Sequence, residues 1–465
     1  MNSAAAPIAV AKTDEPLAVR LAHSIARSQQ HAFSSETREK LRLCLLDFLG
    51  CAIEARSLPW ARQAAALAEN GEGRCTIVGA SRQAFVGDAA FANAVAAHGL
   101  VREDMHTGAV SHFGVVVLPA LLAVAQDREL SGAAFTDAAI VGYEVGAKIG
   151  RALVTPDFTR AFRPTGFTGP IAAAAGLCRL LRLNEAETAS AIALAANMAC
   201  GLNQWPHTGS DDMYFHAGQA ASSAVRAVRL AMSGARGSER ALDGEAGLIR
   251  VYRPDRAVPD VALFDGAEPE IASVYFKAAP VCNFAQTPCQ AAIALTSEDH
   301  VDAARVRSIK VRVSEAARAY PGCDYAGPFE RVLQAKMSIQ FAVASALLRG
   351  KVDESSYRTL DDPALVRLAG LVEVEADRDF TAAFPKAQGA EIIVALDDGR
   401  TLGRSLQDVA PADRNLIRRR FAAAANEFAG EARARSLQEA VDGLDAMPDI
   451  GRLMRLAADR APSST

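Results

Sequence analysis

Ala97-His98-Gly99-Leu100-Val101-Arg102-Glu103-Asp104-Met105-His106-Thr107-Gly108-Ala109-Val110-Ser111-His112-Phe113-Gly114 joins two strongly apolar segments, 85–97 and 115–125. Both flanks are helical in character, too apolar to face water on every side. A polar, ionisable connection between two such helices is a place where chemistry can happen. Three of the eight histidines fall within fifteen residues here, with Arg102, Glu103 and Asp104 between them. Histidine titrates near neutral pH, and a neighbouring carboxylate fixes its tautomer and tunes its pKa. The competing reading is a solvated loop with incidental histidines; the clustering favours chemistry.

The 465 residues are enough for two or three domains, and with half of them apolar they can bury a large core. Only 6% are aromatic while alanine is abundant, which favours close-packed helices with small residues at their contacts. The net charge of −4, without a long basic run, argues against a nucleic-acid partner. The eight cysteines are scattered, contain no C-x-x-C and mostly lie in apolar runs, so a reduced, cytoplasmic protein is expected. The segment 1–12 lacks the basic start of a signal peptide, and no window is apolar enough to span a bilayer, so no membrane association is expected. Residues 1–14 and the tail from Arg460 are expected to be disordered.

Working outward, helices are expected over 16–27, from Ser34 or Ser35 as N-cap to Cys51, and over 60–69, closed by Asn70-Gly71. A short strand, 75–78, follows. Helices dominate from 85 to 200, and Gly142, Gly146 and Gly150 recur every fourth residue, which reads as tight helix packing. Gly218 starts a further helix to Ser233. Composition shifts after about Asp265: 306–313 alternates apolar and charged residues, 371–376 and 390–397 are strand-like, Asp397-Asp398-Gly399-Arg400 is a hairpin signal, and 337–348 is helical. From 410 to 456 the pattern is helical again.

Taken together, the loop at 97–114 followed by Val-Val-Leu-Pro119-Ala-Leu-Leu-Ala, then Gly142-Tyr-Glu-Val with Ile149-Gly-Arg151, Arg160-Ala-Phe-Arg-Pro-Thr165, His216-Ala-Gly218-Gln-Ala-Ala, Lys277-Ala-Ala-Pro280-Val-Cys282 and Ala335-Lys-Met-Ser338-Ile-Gln-Phe-Ala-Val-Ala344 resemble the MmgE/PrpD family in order and spacing, over roughly residues 15 to 455. That family includes 2-methylcitrate dehydratase, cis-aconitate decarboxylase and iminodisuccinate epimerase. The resemblance implies a mainly α protein: a large all-helical domain built from both chain ends (15–268 and 405–458) and a small α+β lid domain (269–404). It further implies a homodimer, a cleft between the domains, a small di- or tricarboxylate substrate, and chemistry without cofactor or metal. The family's reactions share one theme: a carbanion beside a carboxylate is made or quenched by loss of water, of carbon dioxide or of a proton. Such a site needs cationic carboxylate ligands, an acid and a base at the reacting carbon, and donors aimed at the developing charge.

Carried over residue by residue, the first loop of the dehydratase and decarboxylase branches, His-x-x-Asp-x-Asp-Asp-Thr, reads here as His98, Val101, Glu103, Asp104 and Met105. Arg163 stands where histidine is usual, Met213 where lysine is, and Gln286 where a further histidine is, while His112, His216, Thr165, Asp104 and Lys277 are kept. The site thus reads as respecialised. His112 is the leading acid–base candidate, with His106 or His98 as a second proton-transfer group; a dipole contact at a helix C-terminus is the alternative for His98. Asp104 would orient a histidine or hydrogen-bond the loop. Arg163 and Lys277 are the carboxylate clamps, the alternative for Arg163 being a salt bridge to Glu103. Thr165, Gln286, His216 and Arg102 complete the expected substrate contacts, with simple packing at a helix start as the alternative for His216. A metal site from His98, Asp104, His106 and His112 matches no strong spacing pattern and is not expected. The leading reaction is that of a hydro-lyase, with an epimerase, a decarboxylase and a silent carboxylate-binding homologue as alternatives.

Overall fold

The computed structural model describes residues 15–30, 32–68, 73–254 and 257–459. The chain is mainly α, with small sheets. The expectations for 1–14, Asn70-Gly71 and the tail from Arg460 lie outside the described residues.

Five helices, Val86–His98, Gly114–Asp127, Gly132–Leu153, Pro164–Leu181 and Asp212–Met232, pack on one another as the centre of the large unit. Every residue from Gly114 to Gln126 is buried, which is why that stretch carries no polar face. Small residues let these helices approach. A Cβ on Gly146 would stand 2.5 Å from the Phe113 ring and 2.7 Å from the Ala172 methyl. One on Gly150 would meet Ala109 at 2.4 Å, so this glycine stripe seats the histidine loop itself against the helix. The helix expected from Gly218 begins instead at Asp212, because Met213 and Tyr214 are already buried and Tyr214 stacks on Trp60 at 4.0 Å.

Ser34 caps the helix Ser35–Ala55, accepting from the Thr37 N–H. The end of the chain returns to this helix: Arg414–Ala429 packs along it, and Arg38 and Arg42 each reach Asp445 at 2.7 Å. Gly132 N–H donates to Met447 O at 2.8 Å on the same side.

The small unit is a four-stranded sheet in the order Val372–Ala376, Val306–Val313, Ala390–Leu396, Thr401–Leu406, with the first pair parallel and the others antiparallel. A register shift between Val306 and Ser308 moves the buried set from Val306 to Ile309, Val311 and Val313. Helices Gln286–Asp299 and Ile339–Arg349 pack together and against the sheet. The Asp397–Arg400 turn closes the expected hairpin with Gly399 at φ +86°. Its second strand, Thr401–Leu406, has no buried residue and so carries no apolar alternation to betray it. The strand expected over 75–78 is shorter, Cys75–Thr76. Among the described residues no helix is long and apolar enough to cross a membrane.

Candidate active site

The histidine loop is deeply buried. His98, Glu103, Asp104, His106 and His112 are each at most 3% exposed, which excludes the solvated-loop reading. Its path is set from outside. Two lysines of the later chain reach into it, Lys336 Nζ donating to Leu100 O at 2.8 Å and Lys277 Nζ to Val101 O at 2.9 Å. Lys336 also pairs with Glu354 at 2.7 Å. Met105–His106 adds a two-residue antiparallel ladder with Val274–Tyr275. Val101 (φ +58°) and Val110 (φ +49°) are held in the left-handed region, costly for β-branched residues.

Glu103 is the charged centre of the loop. Its Oε1 lies 2.7 Å from His98 Nδ1 and 3.2 Å from His112 Nδ1. Burial pushes its pKa up, but His98, Lys277 and His112 outweigh that and hold the carboxyl well below the usual range. His112 Nδ1 also lies 2.8 Å from Asp104 O. A carbonyl only accepts, so Nδ1 carries the hydrogen. Burial first, then Lys277, hold the His112 pKa well below that of free imidazole, so the resting ring is neutral and Nε2 is its unprotonated nitrogen. His98 is likewise lowered by burial. Its Nδ1–H donates to Glu103 and its Nε2 accepts from Arg163 Nη2 at 3.3 Å. Both its ring nitrogens are therefore spent on a Glu103–His98–Arg163 chain, a positioning role and not proton transfer. The Arg163 guanidinium lies 5.8 Å from the Trp205 ring and keeps a buried Nε–H without a partner.

One small cavity, of about 20 Å³, is lined by His112, Arg163, Lys277, Cys282, Asn283 and Tyr320. Val101, Met105, Val110, Trp205, Met213, Phe284 and Met337 form the remainder. That volume holds about one water molecule, so a carboxylate substrate requires the surrounding segments to move apart. Lys277 is 1% exposed and its pKa is lowered by burial.

The structure therefore brings His112, Arg163 and Lys277 together and turns the other expected residues elsewhere. His106 faces away: Nδ1 accepts from Ala109 N–H and Nε2 donates to Glu270 at 2.9 Å, on the outer wall of the loop. Asp104 turns its carboxylate into the helical core, accepting from Tyr143 Oη at 2.5 Å and from Gly114 N–H at 3.1 Å, so its side chain fixes the loop's exit and only its backbone carbonyl holds the His112 ring. Burial raises its pKa to about 6. Arg102 is held by Glu54, 2.5 Å away, and is no substrate ligand. The Thr165 hydroxyl accepts from the His112 backbone N–H at 3.2 Å, holding His112 in position. Gln286 spends its amide on the backbone of Ala278, Ala279 and Val281, pinning the turn that carries Lys277 and Cys282. His216 is half-buried behind Arg163, its pKa lowered to about 4, by burial first and then by Arg163. His98, Asp104, His106 and His112 do not converge on one point. Sequence reasoning missed Tyr320, Trp205 and the central role of Glu103. Only Glu103 had a signal, its place between two histidines.

Asp47, on the helix Ser35–Ala55, lies in the same buried region, and its pKa is raised to about 7, by burial first and then by Asp104. A carboxyl held above its unfolded pKa is neutral in the fold while the unfolded chain is already ionised. Its contribution to stability therefore falls as pH rises from about 4 to about 7. The neutral buried His98, His112 and His216 act in the opposite sense, so a difference measurement isolates Asp47. Asp47→Asn is expected to gain on the wild type as pH rises from 5 to 8, by about 2.5 kcal/mol. Melting temperatures of both proteins across that range check this; a pH-independent difference would refute it.

Two family models match the chain: the MmgE/PrpD N-terminal domain over residues 19–259 and the MmgE/PrpD C-terminal domain over residues 279–446. The cis-aconitate decarboxylase-like protein oryM of Aspergillus oryzae is 26% identical over 458 residues, covering 91% of this chain and 93% of that protein. The cis-aconitate decarboxylase of Aspergillus terreus is 23% identical over 453 residues, covering 91% of this chain and 92% of the relative. The human cis-aconitate decarboxylase is 28% identical over 324 residues, 67% of this chain and 66% of the relative.

Proposed function

The chain belongs to the MmgE/PrpD family, and on that premise we propose that it is a lyase that decarboxylates a small di- or tricarboxylate at the carbon next to a second carboxylate. The observation that carries the reading is the cavity, whose lining combines two basic side chains and a histidine with apolar residues. Arg163 and Lys277 bind the carboxylate that takes up charge, and they meet that charge without reorganisation. The leaving carboxylate lies against Met213, Phe284 and Met337, where a charged group is poorly solvated and neutral carbon dioxide is not. The carbon–carbon bond breaks, its electron pair passes into the retained carboxylate system, and the carbon then takes a proton.

His112 supplies that proton. Its pKa is lowered at rest partly because Lys277 and Arg163 are close. Substrate carboxylates neutralise both cations and lift this part of the depression, so His112 gains a proton at Nε2 as substrate binds. The names of the relatives agree with decarboxylation. The hydro-lyase reading is supported by the same unprotonated Nε2, which can abstract a proton instead, with Tyr320 assisting the departing hydroxyl. An epimerase needs two proton-transfer groups facing one carbon, and the turned-away His106 leaves only Tyr320 to partner His112. A homodimer and a cytoplasmic location remain part of this proposal.

Proton NMR in heavy water tests it, with cis-aconitate, citrate, 2-methylcitrate and iminodisuccinate as the panel. Decarboxylation leaves a product with one fewer carboxylate and one carbon-bound deuteron, on the carbon that lost carbon dioxide or at the far end of a shifted double bond. Loss of water from a hydroxy acid would replace the decarboxylase by the hydro-lyase reading. Deuterium exchange without elimination would replace both by the epimerase.

A further inference from the structure

We propose that Cys282 and Cys323 form an oxidation site, at which a small peroxide oxidises Cys282 and Cys323 resolves the product into a disulfide. The two sulfurs are 3.6 Å apart and neither belongs to a disulfide. Their backbones are tied to one segment: Cys282 N–H donates to Lys336 O at 2.7 Å, and Cys323 O accepts from Ile339 N–H at 2.9 Å. The pair is therefore held together by the fold, and it has to close only to the roughly 2.05 Å of a sulfur–sulfur bond.

The two thiols are not equivalent. Cys282 lines the cavity beside Lys277, whereas Cys323 is 0% exposed and lies behind it. Either thiol can donate to the other, and Lys277 adds a positive charge on the cavity side, so Cys282 is the thiol pulled down toward the thiolate. Burial pushes the Cys323 thiol up. This divides the labour between an attacking and a resolving cysteine. The Cys282 thiolate attacks one peroxide oxygen, the oxygen–oxygen bond breaks, and hydroxide leaves as water after taking a proton. The sulfur is then a sulfenic acid. The Cys323 sulfur attacks it, the sulfur–oxygen bond breaks, and a second water leaves with the Cys323 proton. One peroxide is reduced by two electrons and the two thiols are oxidised by two.

The cavity chooses the oxidant. At rest, at about 20 Å³, it admits a molecule near the size of water, and hydrogen peroxide is close to that size, while glutathione disulfide is far larger even than the carboxylate for which the segments part. The other free cysteines provide the contrast. Cys200 is exposed and open to reagents of any size. Cys44, Cys51, Cys178 and Cys289 are buried, and burial raises their pKa values.

The test treats the folded wild-type protein with hydrogen peroxide or with glutathione disulfide, alkylates remaining thiols after denaturation, and maps the peptides by mass. Peroxide is expected to give a cross-linked Cys282–Cys323 peptide, lighter by two hydrogens and cleaved by a thiol reductant. Glutathione disulfide is expected to modify Cys200 and leave Cys282 alkylatable. In Cys323→Ser, peroxide is expected to add oxygen to Cys282 without a cross-link. Recovery of both cysteines alkylated after peroxide, or a glutathione adduct on Cys282 in the native protein, overturns the proposal. The wild-type map stands by itself if the variant does not fold.

Discussion

Replacing His112 by alanine is expected to lower turnover by about 10²–10⁴-fold, the usual size of a lost proton-transfer group, at a cost in stability of about 1–3 kcal/mol. The two halves of this expectation rest on different atoms. On the chemical side, His112 Nε2 has no protein partner and the ring borders the cavity. On the structural side, the imidazole gives the loop one bond to Asp104 O, while the other supports stay: Asp104 holds its exit through Tyr143 and Gly114, and Lys277 and Lys336 hold its entry. The His112 N–H bond to Thr165 comes from the backbone and survives the substitution. The check is kcat on the compound that the heavy-water panel identifies, together with a melting curve. The pH profile adds a sharper readout. If substrate carboxylates charge His112, binding takes up a proton, visible as a buffer-dependent heat of binding that the variant lacks. Full turnover in His112→Ala would remove this residue from the mechanism in either the decarboxylase or the hydro-lyase form.

Lys277→Met is expected to have the largest combined effect. The ammonium is a proposed carboxylate clamp, so activity falls. The same charge also offsets Glu103, buried at 1% exposure between two histidines that are themselves neutral. Lys277 acts on Glu103 through space, with no ion-pair contact, so removing it leaves a buried carboxylate held by His98 and His112 alone, at a cost of about 1–3 kcal/mol. Glu103→Gln in the same chain removes the stranded charge. The double variant is therefore expected to regain much of the lost stability and none of the lost activity. Melting curves and kcat/KM for Lys277→Met, Glu103→Gln and the double variant separate the two roles. Equal melting temperatures for Lys277→Met and the double variant would mean that Lys277 does not balance Glu103.

The helical scaffold was readable because its constraints are local. The all-buried run 114–126 has to be apolar throughout, and Gly142, Gly146 and Gly150 mark close contacts whatever lies opposite. The Thr401–Leu406 strand was hidden because no side chain on it is buried. At the site, residue type announced the chemistry, but direction did not follow from spacing. Glu103 and Asp104 are neighbours in sequence, yet one turns to the histidines and the other to Tyr143. That division depends on a left-handed Val101 whose carbonyl is held by a lysine 176 residues away. His112 leads and His106 follows as candidates on paper, but nothing in the spacing shows that the ladder to Val274–Tyr275 carries His106 outward. Gln286 looked like a ligand because its amide can be one; here the backbone occupies it.

The two lysine bonds to Leu100 and Val101 also set an order of events during synthesis. A ribosome releases His98 and the whole loop long before it reaches Lys277 and Lys336. At about 5–20 residues per second, the interval between His98 and Lys336 is on the order of 10 to 50 s. Throughout it the nascent helices can pack, but the loop has no ammonium to hold either carbonyl and no partner strand for Met105–His106. The emerging chain is therefore a scaffold with an unset site, and the carboxylate of Glu103 waits without its counter-charge. A truncation ending before Lys277 would keep the loop in that unset condition indefinitely, however well its helices fold.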